Sequence, residues 1–167
     1  MMMVHLQKLL LIVLTFGYLN TYHSFNPGRK SHKFEGPGLQ YEIVVAISTG
    51  WIVSINGPFL CGNWPDLQIA RSKLHFMVPH GEFYLADRGY KAPYTPGITK
   101  DDIPALERNK MNWLMARHEQ LNRRFKEWGI LDNQFNFVEG KHRYVFYAIA
   151  VITQIEIAGG SFNWEVY

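Results

Sequence analysis

The chain carries a single cysteine, Cys61, in 167 residues, so no disulfide can form within it and an oxidising compartment leaves no mark on its composition. Acidic residues are missing from the first 34 positions, and Glu35 is the first of them. The apolar run near the amino terminus, Leu9 to Phe16, falls well short of the ~20 residues that span a bilayer. No internal repeat or low-complexity tract interrupts the chain. A phosphate-binding glycine loop with Lys-Ser/Thr is absent, as is a Gly-x-Ser-x-Gly elbow, which removes the usual signatures of nucleotide hydrolysis and of serine hydrolases. His75, His80, His118 and His142 stand at no zinc-ligand spacing with Cys61.

What is present suits one compact domain. Hydrophobic residues make up 47%, aromatic residues 15% and charged residues 19%, far from the low hydrophobicity and high charge of disordered chains. A net charge of +3 and a pI near 9.0 tilt the surface toward anionic partners without identifying one. The start has a divided reading. Met1 to Lys8 is weakly basic, Leu9 to Phe16 is apolar, and small or polar residues follow to Ser24, an order that resembles a signal peptide. The same Leu-Ile-Val-Leu-Thr-Phe also fits a buried strand. A linker-like stretch, Asn26 to Lys33 with Gly36-Pro37-Gly38 behind it, sets 1–30 apart as a signal-like or replaced segment and leaves 31–167 as the folded domain.

Within that domain Tyr41 to Ser48 and Trp51 to Asn56, rich in β-branched and aromatic residues, predict an antiparallel hairpin turning at Thr49-Gly50. A short helix is expected from Pro65 to Leu74, a strand from Glu82 to Ala86, and an irregular proline-rich loop from Lys91 to Pro104. From Ala105 to Trp128 the apolar positions Met111, Leu114, Met115, Leu121, Phe125 and Trp128 recur at three- and four-residue steps, which predicts a long amphipathic helix with Gly129 as its C′ residue. Arg143 to Ile157 is apolar nearly throughout, and its length favours a helix over a strand. The order points to an α/β domain, a mixed sheet covered by helices.

Two carboxylates have positions that suit metal chemistry. Asp87 falls where a strand leaves the sheet, facing the crevice in which ligands bind, and Glu119 lies on the long helix with Arg123 at i+4 and Lys126 at i+7. Such a pair can hold Mg²⁺, which activates water and neutralises phosphate charge in an in-line displacement. The bland readings are a common Asp-Arg-Gly turn and an ordinary i, i+4 ion pair. Arg108, Lys110, Arg117, Arg123, Arg124 and Lys126, interleaved with Trp113, Phe125 and Trp128, fit either a nucleic-acid face or a solvated helix surface.

The segments SHKFEGPGLQYEIVVAISTGWIV, NGPFLCGNWPDLQIARS, FYLADRGYKAP and ARHEQLNRRFKEWGIL, in this order from Ser31 to Tyr167, resemble the PIF/Harbinger superfamily of DDE transposases. The resemblance implies an RNase H-like fold in which three acidic residues hold Mg²⁺ or Mn²⁺ for cleavage and transfer of double-stranded DNA at transposon ends. It implies a nuclear location, no small-molecule cofactor, no membrane attachment and a possible DNA-binding partner protein. Asp87 takes the place of the second acid, in its Ala-Asp-x-Gly-Tyr context, and Glu119, followed by Lys126, that of the third. Asp66, in Gly-Asn-Trp-Pro-Asp, matches a further family aspartate, and Arg117, Arg123 and Lys126 are the implied DNA contacts. The chain departs from the pattern in two ways: nothing matches the Asp-Gly-Thr-like motif of the first acid, and Asn112 and Met115 stand where bacterial relatives tend to carry Tyr and Arg. The expected result is a transposase-derived nuclease domain impaired by loss of one metal-binding carboxylate. A DNA- or protein-binding remnant without chemistry and a small exported protein are the alternatives.

Overall fold

The computed structural model describes residues 9–17, 27–31, 36–133, 135 and 137–160. Five strands form one mixed sheet: β1 (Leu9–Gly17), β2 (Gly38–Ala46), β3 (Ile52–Leu60), β4 (Tyr84–Leu85) and β5 (Gly97–Ile98). Their spatial order is β3-β2-β1-β4-β5. β1 pairs antiparallel with β2 and β2 with β3, whereas β4 runs parallel to β1 and β5 parallel to β4, so β2 alone runs against the other four. The helices are α1 (Asp66–Ser72), α2 (Leu74–Met77), α3 (Arg108–Glu127), α4 (Gly129–Asp132) and α5 (Glu139–Ala158).

The apolar run Leu9 to Phe16, which composition sets apart as signal-like, is the middle strand of the sheet. Its register runs without a break from Leu9 opposite Ala46 to Gly17 opposite Gly38, and on its other side Leu9 and Leu10 pair with Tyr84 and Leu85.

Pleating divides β2 between two cores. Leu39, Tyr41, Ile43 and Val45 face one side and pack with Phe16, Leu85 and the apolar stripes of α3 and α5. Val44 faces the other side, with Ala70 and Leu74 of α1 and α2 and with Tyr84, Ala86 and Tyr90. At the centre of the larger core, the Tyr41 and Phe146 rings stack at 3.7 Å and 8°. The Tyr41 hydroxyl lies 2.9 Å from His142 Nδ1.

The hairpin forms as its residues predict, with Gly50 at φ 73° in the turn. β3, however, continues through Gly57-Pro58 to Leu60. It is an edge strand, and a proline without an amide proton is tolerated there. The loop expected from Lys91 to Pro104 contains β5, too short at two residues to leave a periodic signal. The strand expected from Glu82 to Ala86 is reduced to Tyr84 and Leu85. α3 begins at Arg108 after a 3₁₀ turn at Ala105–Glu107, and it ends because Trp128 adopts an extended backbone at φ −79°, ψ 104°. Gly129 follows that C-cap as the C′ residue, as its position predicts, and also opens α4. α5 covers the predicted apolar segment and extends it at the N-terminal end.

Candidate active site

Asp87 lies two residues beyond β4, where it caps a 3₁₀ turn, Arg88–Tyr90. Its Oδ1 accepts the Arg88 amide proton at 2.7 Å, and the residue is exposed. A neighbouring loop steadies this turn. Arg88 bonds Asp101 at 3.0 Å and Lys91 lies 3.2 Å from Asp102, while Asp102 Oδ2 accepts from the Thr99 amide at 2.9 Å and from its hydroxyl at 2.6 Å. Those Thr99 hydrogen bonds, ahead of the Lys91 charge, hold the Asp102 carboxyl below its usual range. Because Asp102 completes a reciprocal capping box, Asp102→Ala is expected to lower stability by about 1 kcal/mol in urea denaturation. A change within about 0.2 kcal/mol would mean the box contributes nothing.

Asp66 begins α1 and reaches the same turn: its Oδ2 lies 3.3 Å from the place a Gly89 side chain would occupy. Asp66 and Asp87 both act electrostatically on buried Tyr90. Beneath them lies a carboxylate that the sequence patterns did not single out. Glu42 of β2 is 1% exposed, on the α1 face of the sheet, and its Oε2 has no hydrogen-bond partner. Burial pushes its carboxyl up to about 7, opposed by a hydrogen bond from Asn56 and the Lys73 charge and reinforced by Asp66. The one signal for it is a charged residue inside the apolar run Tyr41 to Ser48. Tyr90 is also buried with an unpartnered hydroxyl, and burial, then Asp66 and Glu42, raise its proton affinity.

Glu119 stands apart from this group by environment. Its side chain is 74% exposed on α3, with His118 Nδ1 at 4.0 Å. Among the described residues no three His, Cys, Asp or Glu side chains come together to hold a metal ion. Asp66, Asp87 and Glu119 thus do not form a ready three-carboxylate centre. The strand beside Asp87 adds no acid, because β1 reads Leu-Leu-Leu-Ile-Val-Leu-Thr-Phe-Gly.

The basic residues separate in the same way. Arg117 is 4% exposed, donates to the Ile47 carbonyl and lies 4.4 Å over the Trp113 ring. Its charge ties α3 to the end of the hairpin, which corrects its expected place among the DNA contacts. Helical periodicity cannot tell a buried arginine from a solvated one when both lie next to apolar neighbours. Arg123 is exposed and paired with Glu127 at 3.7 Å, and Lys126 is exposed. No helix among the described residues is long and apolar enough to cross a membrane.

Compared with family models, with curated proteins and with solved structures, the chain matches none.

Proposed function

We propose that this chain is a transposase-derived nuclease domain of the PIF/Harbinger kind whose capacity to cut DNA is impaired. The observation that carries the reading is the position of Asp87, at the exit of a strand that pairs with the central strand β1, in the order of motifs that resembles the family. The mixed five-stranded sheet with helices on both faces is compatible with the RNase H-like fold that the resemblance implies. α3, which carries Glu119, packs against β1.

Impairment follows from the carboxylates. Divalent-ion chemistry on phosphates needs oxygen ligands fixed on a common centre. The chain offers Asp66 and Asp87 at one turn, an exposed Glu119 on α3, and only apolar or hydroxyl side chains on β1. That donor set does not fit a three-acid metal centre, and no catalytic step is assigned to it. Lys126 is exposed to phosphates, and Arg123 is exposed in a surface ion pair with Glu127 that a phosphate can replace, which favours duplex DNA binding as the activity retained and the nucleus as its setting.

Purified protein with Mg²⁺ or Mn²⁺ is expected to leave supercoiled plasmid intact, and Asp87→Ala is expected to change nothing. Robust metal-dependent nicking abolished by Asp87→Ala would refute impairment while supporting the nuclease ancestry. Binding to duplex DNA that weakens steeply with salt and survives Glu119→Ala supports the retained activity. No binding at moderate salt counts against it.

A further inference from the structure

The two faces of α5 are both apolar, and the sheet covers only one of them. His142, Phe146, Ile149, Ala150, Thr153 and Ile157 point inward and are buried. On the opposite face Tyr144 is 76% exposed, Val151 59% and Ile155 65%, with Ala148 and Ile152 completing the row. These residues recur at i, i+4, i+7, i+8 and i+11, the spacing of a single helical stripe. No charge interrupts the helix between Tyr144 and Ile155. The four larger side chains, at on the order of 100 Å² each, offer roughly 400 Å², within the 300–600 Å² of the largest patch on a typical monomer, which is often functional.

We infer that this stripe is the contact surface of a homodimer in which α5 of one copy lies antiparallel against α5 of another. A second copy suits it because the stripe is nearly palindromic: in an antiparallel pair Tyr144 meets the partner's Ile155, and Ala148 meets the partner's Val151, leaving room for close approach at the centre. The charges at the two ends agree with that register. Lys141 and Glu156 bound the stripe on the same flank of the helix, at opposite ends. A two-fold axis across the helices brings the Lys141 ammonium of each copy beside the Glu156 carboxylate of the other. A parallel pair, related by an axis along the helices, would put these charges on opposite sides of the contact, where Lys141 and Glu156 cannot pair. The apolar stripe alone is about half of the ~800 Å² that each side of a standard interface buries, so a weak, concentration-dependent dimer is expected. This inference does not depend on the nuclease reading.

Sedimentation velocity of the full chain over a dilution series tests it. The wild-type mass is expected to rise from 19.4 kDa toward twice that value with concentration. Val151→Glu, at an exposed position, is expected to keep the helical circular dichroism of the wild type and to weaken association at least about tenfold. Glu156→Lys should also weaken it, and adding Lys141→Glu to that variant should restore it, since the swapped pair regains opposite charges. A wild-type chain that stays monomeric at all concentrations overturns the inference. So does a dimer indifferent to Val151→Glu, which would place the contact elsewhere. A dimer that Val151→Glu breaks but the double charge exchange does not restore overturns the antiparallel register.

Discussion

Glu42→Gln is expected to stabilise the protein relative to wild type by about 3 kcal/mol more at pH 8 than at pH 4.5. The Glu42 carboxyl is raised from 4.5 to about 7 in the folded chain, chiefly because burial penalises its charge. Its contribution is therefore fully present below pH 4.5, where both states hold the proton. It is lost progressively as pH rises through about 7, where the folded chain must ionise a carboxylate that is 1% exposed. Glutamine keeps the shape and the hydrogen bond to Asn56 but never ionises, so the variant escapes that loss.

His142 makes the comparison with wild type essential. Burial lowers its imidazole from 6.5 to about 4, so the stability it brings is present above 6.5 and lost as pH falls through about 4. Between 4.5 and 6.5 the two residues oppose each other with equal slopes. The part of the wild-type profile due to this pair is accordingly flat in that window. Removing Glu42 leaves the His142 slope alone, and Glu42→Gln should gain about 2 kcal/mol in stability from pH 4.5 to 6.5 relative to wild type. Urea denaturation of both proteins across this range measures the difference. A variant-minus-wild-type gap that stays constant with pH would show that folding does not shift the Glu42 carboxyl.

Phe146→Ala is expected to cost about 3–5 kcal/mol, a large fraction of the roughly 5–15 kcal/mol that holds an ordinary domain folded. Phe146 is fully buried and stacks on Tyr41 at 3.7 Å, with Phe16 at 5.6 Å and Phe125 at 5.1 Å. It is the point where α5, α3, β1 and β2 meet. Truncation removes the apolar transfer energy and leaves a cavity between rigid elements that cannot collapse into it. Phe146→Leu should recover more than half of the loss. Thermal and urea unfolding of the two variants decides the matter, and a cost for alanine below about 1 kcal/mol would mean that α5 does not seal this core.

Local pattern carries information only where one residue type repeats against one environment. The hairpin was legible because β-branched residues flank a turn, and α3 because one stripe of it faces the sheet. α5 was legible as a helix by its length, although its continuous apolarity hid the fact that one face lies on the core and the other in solvent. β5 and the two-residue core of β4 left no pattern, since strands this short exist through their pairing with neighbours. Gly129 was legible as the C′ residue of α3, but the extended Trp128 backbone before it and the short α4 after it are set by dihedrals that composition does not record.

The candidate site was legible in part. Asp87 at a strand exit and Asp66 at a helix start could be placed from sequence, and both lie where their motifs set them. Glu42 could not, because a single acid in an apolar strand reads equally as an exposed residue on a half-buried sheet until the packing of α1 over that face is known. Arg117 was assigned to the surface for the converse reason: its burial depends on the Ile47 carbonyl and the Trp113 ring being brought to it.

By itself the sequence determined the elements with strong periodicity, the α/β class, the absence of any acid on the first strand and the chemical identity of the acids near Asp87. These follow from local propensity and side-chain chemistry, which act between neighbours along the chain. Only the tertiary structure decided that Leu9 to Gly17 is the central strand, that Glu42 is buried while Glu119 is exposed, and that Arg117 faces inward. Burial and charge separation depend on which distant segments cover a residue, and that information is created only when the sheet and its helices close on one another.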